Sequence, residues 1–395
     1  MAFDAGRRTV LREIATWGAV AGLGLTDALV DRVLAQAPCP DPASWGELLG
    51  RLPLYGTRPD DTPYGEIVGG TGLDARLFTD LSDLEADRLI TPTDRVFVRT
   101  AYPASLRSRP GPWTLRVTRL DGTAAAPLPL SAIAARARPM GAHLIECAGN
   151  ADPRNFGLMS VAEWDGVPLA EVLAVADAGP AHAVLVGGVD EPQESARSIP
   201  GASWILPLAD LESLGAFLAV RMNGAPLPPD HGAPVRLVVP GWYGCAWIKW
   251  VDELRMVGPD APSTTQMREF ARRTHQDGLP ALARDYAAPV IEVAATPVRV
   301  ERRRVDGETI HRVVGIVWGG AAPTRDLLIR FSSRDAWRPL TVCPPPRTHH
   351  TWSVWDYRWQ PGGPGFYDIA LKPADPAVPA RRLDLFYYVR RVRVD

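Results

Sequence analysis

His143-Leu144-Ile145-Glu146-Cys147-Ala148-Gly149-Asn150 decides how this chain is read. A short apolar strand runs into a cysteine, and small residues and Asn150 follow. The thiol is therefore expected at a strand end, where loops expose functional groups. Gly149 allows the backbone to come close to a ligand. Taken alone, such a cysteine is a small buried hydrophobe or, as a thiolate, a soft metal ligand. A nucleophilic role would need a base. His143 lies four residues back on the same strand, roughly 13 Å away, too far for direct proton transfer.

A second stretch runs from His231-Gly232-Ala233-Pro234-Val235-Arg236 through Pro240-Gly241 to Ile248-Lys249-Trp250. A buried strand enters a Pro-Gly turn and a glycine-containing loop. His231 and Arg236 flank the strand start, and Lys249 closes the loop. Convergent cations with exposed amides make an anion site suited to phosphate; a solvated basic edge is the other reading. The spacing matches neither a phosphate loop nor a dinucleotide fingerprint. Lysine is rare here, at positions 249 and 372 only, so Lys249 hints at a place wanting a compact ammonium.

Around these stretches, strands are expected at 97–99, 113–117, 183–186 and 235–239. Residues 169–176 read as a short helix, 210–220 carry helical spacing, and 40–93 read as loops and short helices. From about residue 290 the text becomes β-branched and aromatic, with turn residues between segments at 309–318, 327–331, 352–359, 366–371 and 383–394, as in a β-sandwich. A period of two puts Trp355, Tyr357 and Trp359 on one face. That face reads as sandwich core or an interface, with a sugar-stacking platform as the sharper alternative. The fold class is α+β: a mixed α/β domain over 40–285, then a sandwich over 286–395.

The chain has 395 residues, enough for two or three domains, with a formal net charge of −2. That balance argues against nonspecific nucleic-acid binding. No apolar run is long enough to span a membrane. Four cysteines, at 39, 147, 245 and 343, are too few and scattered for a disulfide scaffold, and no C-x-x-C-H haem attachment occurs. Arg7-Arg8, an apolar stretch over 14–25 and Ala35-Gln36-Ala37 have the layout of a twin-arginine export signal over 1–37. This implies a periplasmic or other extracytoplasmic location. An amphipathic N-terminal helix, in a protein that stays cytoplasmic, is the alternative.

Cys147-Ala148-Gly149-Asn150, Asn223-Gly224, Asp230-His231-Gly232, Pro234-Val235-Arg236, Pro240-Gly241 and Ile248-Lys249-Trp250 together resemble the sulfite oxidase family of molybdenum enzymes. Phe97-Val98-Arg99 and Glu163-Trp164-Asp165-Gly166-Val167-Pro168-Leu169 extend the resemblance to roughly residues 45–395. It implies a molybdenum-molybdopterin cofactor, with Cys147 as metal ligand and Arg99 beside the metal holding an anionic substrate. It also implies that Asp190, His231, Arg236 and Lys249 hold the pterin and its phosphate, and that the C-terminal region is an immunoglobulin-like dimerisation domain. The implied reaction is oxygen-atom transfer, oxidising sulfite and passing electrons to a separate cytochrome c.

Three departures stand out. The two arginines usual after Cys-Ala-Gly-Asn are Ala151 and Asp152 here, with Arg154 the nearest replacement. The family histidine two residues beyond Arg99 is Ala101. The active-site tyrosine is replaced by Phe270, which lacks the hydroxyl. The missing cations also fit a reductive reaction on a neutral sulfoxide or other oxo compound. A non-catalytic binding protein using the tryptophan-rich region is a third, weaker alternative.

Overall fold

The computed structural model of the protein describes residue 39 and residues 41–55, 76–99, 111–151, 156–189, 202–385 and 387–395. The segment read as an export signal, Ala101, Asp152, Arg154 and Asp190 lie outside the described residues.

Two five-stranded sheets and a few short helices form the first region. One sheet runs in the order Ser203–Pro207, Ala183–Gly188, Val251–Val257, Thr114–Thr118, Leu128–Pro129, and only its third and fourth strands pair in parallel. In the other, Arg138–Glu146 pairs with Met159–Pro168, which pairs with Phe217–Met222. Both Ala225–Pro226 and Arg236–Val238 add to Phe217–Met222. This second sheet carries the site. Cys147 directly follows its edge strand Arg138–Glu146, and Arg236 opens its short strand at the far side. The central strands Met159–Pro168 and Phe217–Met222 are buried along most of their length, as strands covered on two sides are.

The helical spacing over 210–220 yields only one α-helical turn, Leu211–Leu214. Gly215 at φ 59° caps it in the left-handed region, and the strand Phe217–Met222 follows. Sheet pairing overrides the local pattern there.

The last region is a β-sandwich. One sheet runs Glu47–Leu52, Ala294–Val305, Glu308–Trp318, Ser353–Trp359; the other runs Arg338–Thr341, Asp326–Arg330, Gly365–Pro373, Arg390–Val394, Leu54–Tyr55. Across the gap Trp359 stacks on Phe331 at 4.4 Å and meets the edge of Tyr367 at 4.9 Å. Trp355 and Trp359 are buried, and Tyr357 is partly so. These rings are core, and a sugar-stacking face is not available on them. Gly315 pairs opposite Trp355, and a Cβ there would collide with the indole.

Residues 47–55, read from sequence as loop and grouped with 40–285, instead give an edge strand to each sandwich sheet. The long strand Ala294–Val305 is equally unannounced, because its centre is Arg-Val-Glu-Arg-Arg-Arg. Arg299 and Arg303 both bind Glu301 at 2.6 Å. Arg299 also reaches Glu85, which ties the sandwich to the first region. Residue 39 is joined to the sandwich by a disulfide, Cys39–Cys343, spanning 304 positions.

Candidate active site

The loop after the edge strand is built around Asn150. Its side chain donates to Glu146 Oε1 at 3.3 Å and accepts from Leu158 N at 3.1 Å, while its own N–H bonds the Cys147 carbonyl at 2.9 Å. The tight turn leaves the Cys147 thiol partly exposed, with the Gly149 N–H 3.4 Å from Sγ. His143 is not part of this. Its Nε2 pairs with the Met140 carbonyl at 2.9 Å, and its ring packs on Phe217 and His350.

Behind the thiol lies Glu146, fully buried. It accepts from Arg381 Nη1 and Nη2 at 2.8 and 2.7 Å and from Trp318 Nε1 at 2.8 Å. Burial works against the Arg381 charge, but Glu146 more than offsets this and raises its pKa. Sequence reading missed this pair. A lone acid in an apolar strand was the only local signal, and nothing near residue 381 marks its partner.

At the other end, His231, Arg236 and Lys249 converge as expected. Gly232, at φ 100°, makes the convergence possible: a Cβ there would sit 3.0 and 3.1 Å from the Cβ atoms of Lys249 and Arg236. Arg236 is buried between Trp164 and Trp247, its guanidinium carbon 5.3 and 5.7 Å from their ring centres. It donates to the carbonyls of His231 and Trp247 at 3.1 and 3.3 Å, but its Nε has no partner. No carboxylate among the described residues pairs with it. Burial lowers its pKa to about 9. His231 is pushed to about 3, by burial first and then by the Arg236 and Lys249 charges, so it is neutral at pH 7. Lys249 Nζ donates to the Asp230 carbonyl at 3.0 Å and lies 4.4 Å over the Trp250 ring. An uncompensated buried guanidinium beside an ammonium is costly unless an anion joins it.

One cavity of about 230 Å³ joins the two ends, and Arg99, Cys147, His231, Arg236, Lys249 and Phe270 all line it. Arg99 is exposed at the end of the strand Val98–Arg99. Phe270 ends the helix Thr265–Phe270, whose first turn is capped by the Thr264 hydroxyl accepting from Met267 N. Cys245 is buried in the loop behind, and burial pushes its thiol pKa up, so it stays protonated and structural.

This arrangement fits a molybdopterin. Among the described residues no group of three His, Cys, Asp or Glu side chains is placed to hold a metal unaided. Cys147 is thus a single soft donor, and an organic ligand would have to supply the rest. The orphaned Nε of Arg236, the Lys249 ammonium beside it and the neutral His231 imidazole supply what a phosphate tail needs.

The comparisons agree with this geometry. The family described as "Oxidoreductase molybdopterin binding domain" matches residues 101–265. Mitochondrial sulfite oxidase of Homo sapiens is 27% identical over 320 residues, covering 74% of this chain and 57% of that protein. Sulfite oxidase of Gallus gallus is 32% identical over 212 residues, 48% of this chain and 44% of that one. The NADPH nitrate reductase of Neurospora crassa is 38% identical over 122 residues, 30% of this chain and 12% of that one. The chain thus spans little more than half the length of the human relative. In fold, the sulfane dehydrogenase SoxCD of Paracoccus pantotrophus superposes with a TM-score of 0.59 at 19% identity, over 82% of this chain and 85% of that one.

Fold and site therefore define a molybdopterin-binding oxidoreductase domain joined to a β-sandwich. Within that class, the chain is similar to the sulfite oxidases, at 27% identity over 74% of its length to the human enzyme.

Proposed function

We propose that this protein is a molybdenum-dependent oxidoreductase that oxidises sulfite to sulfate. The supporting observation is the single cavity with a half-exposed thiol at one end and a buried, unpaired guanidinium at the other. When bound, the molybdenum-molybdopterin supplies oxygen-atom transfer with a two-electron redox change. The protein residues hold and shield it. Cys147 gives the metal its protein ligand. His231, Arg236 and Lys249 clasp the phosphate end, with Asp190 proposed to complete that grip. Trp164 and Trp247 keep water from Arg236, which strengthens its hold on an anion. Arg99, which lines the same cavity, binds the anionic substrate, and Arg154 is proposed to assist it. Phe270 offers an apolar wall and no hydroxyl.

Electrons are proposed to pass to a separate one-electron carrier of the cytochrome c kind. No helix among the described residues is long and apolar enough to cross a membrane. The Cys39–Cys343 disulfide supports an oxidising, extracytoplasmic location reached by twin-arginine export. The sandwich, by family resemblance an immunoglobulin-like domain, is proposed to pair two copies into a homodimer.

Protein made in a host that assembles the cofactor should carry stoichiometric molybdenum and pterin, lose both on Cys147→Ser, and reduce cytochrome c with sulfite. Metal-loaded protein inert to sulfite but able to reduce a sulfoxide would replace this reading with the reductive one, which Phe270 and Ala151 favour.

A further inference from the structure

A cation that sequence reading did not single out stands beside the Cys147 loop, next to Phe270 of the cavity wall. Arg273 ends the 3₁₀ turn Ala271–Arg273 that directly continues the helix carrying Phe270. Its guanidinium crosses back over the Cys147 loop. Nη1 lies 3.1 Å, and Cys147 Sγ 3.7 Å, from the point that a Cβ on Gly149 would occupy. The two atoms can therefore be no further apart than those distances laid end to end. The absence of a side chain at Gly149 is what lets the guanidinium come this close. The Arg273 guanidinium carbon also lies 5.8 Å from the centre of the Phe270 ring, which fixes its direction. Among the described residues Arg273 makes no hydrogen bond and no ion pair, and it is exposed. A guanidinium with its fork of donors unused, parked against an aromatic face beside the reactive sulfur, is poised for an external anion.

We propose that Arg273 is the residue that captures the oxyanion substrate beside the Cys147 loop, supplying from a separate helix-turn the positive charge that Ala151 and Asp152 do not. Two elements then supply positive charge to the site, Arg99 from the cavity wall and Arg273 from beside the Cys147 loop. The assignment rests on the oxyanion reading of the site and makes it specific. It also explains why Phe270 is compatible with that reading: its ring is a platform for the guanidinium, in place of a hydroxyl toward the substrate.

Two measurements test it. In the molybdenum-loaded enzyme, Arg273→Gln should raise KM for sulfite and the inhibition constant of sulfate roughly tenfold, the worth of one charge-assisted contact at an exposed site. The same variant should change kcat by no more than about threefold. Arg273→Lys should recover part of the loss. In the cofactor-free full-length chain, Cys147 is alkylated at fixed pH with anionic iodoacetate or neutral iodoacetamide. The ratio of the two rates should fall roughly threefold or more in Arg273→Gln, because a nearby positive charge favours only the anion. An unchanged KM and an unchanged ratio overturn the assignment. Metal-loaded wild-type protein that does not oxidise sulfite overturns the function proposed above, and the alkylation ratio then still decides whether Arg273 draws anions to the sulfur.

Discussion

Replacing Arg381 with methionine removes the partner of a carboxylate that has no access to water. Glu146 accepts four hydrogen bonds, two of them from Arg381 at 2.7 and 2.8 Å, with Trp318 at 2.8 Å and Asn150 at 3.3 Å supplying the others. Loss of the two charge-assisted bonds leaves an anion held by two neutral donors. Breaking a buried pair from one side costs about 3–5 kcal/mol. The charge itself is the larger part of that cost, so Arg381→Met combined with Glu146→Gln should recover more than half of it. Urea unfolding of wild type, both single variants and the double variant at pH 7 gives every term. A loss below about 1 kcal/mol in Arg381→Met, or no recovery in the double variant, would refute the account of Glu146 as a buried, obligatorily paired anion. Cys147 follows Glu146 directly, so molybdenum content should fall along with stability.

Arg236→Met should reduce molybdopterin retention more than tenfold, while cofactor-free stability changes by no more than about 1 kcal/mol, because the lost carbonyl contacts are offset by relief of an uncompensated charge; pterin content and urea midpoints check both. The pKa of His350 is lowered to about 4, by burial first and then by His349 and His143. Stability from this group is therefore present above about pH 6.5 and lost as pH falls toward 4. Since His350 is only half-buried, the loss should be about 1 kcal/mol between pH 7 and 5, and His350→Gln should flatten that slope in urea unfolding. Cys39→Ser opens a loop closed across 304 positions and should cost about 2–5 kcal/mol; adding reductant to the wild type should reproduce the loss, and to the variant should add nothing.

Much of the site was legible because its chemistry is local. A thiol at a strand end needs only the apolar run before it and the small residues after it. His231, Arg236 and Lys249 lie within one strand-turn-loop passage, and the structure places all three in one cavity with Cys147. The unread residues act through partners distant in sequence. Glu146 meets an arginine 235 positions away, and Arg273 reaches Gly149 from another element. The same reason hid the strand Ala294–Val305. An arginine-rich segment reads as solvated surface until Glu301 and Glu85 neutralise it. Hydrophobic periodicity reports burial by apolar side chains and is silent about burial by paired charges.

The bridge from Cys39 to Cys343 bears on the order in which this molecule is made. Its second half emerges 304 positions after the first, so Cys39 waits as an unpaired thiol while Cys147 is already present. Oxidation at that stage would offer Cys39 a wrong mate. A sulfur already committed to a metal is withdrawn from such exchange. Under the metal ligation and export proposed above, loading the centre in a reducing compartment and sealing the bridge in an oxidising one would give each of these cysteines a single available outcome, an ordering that a route for folded cargo would preserve.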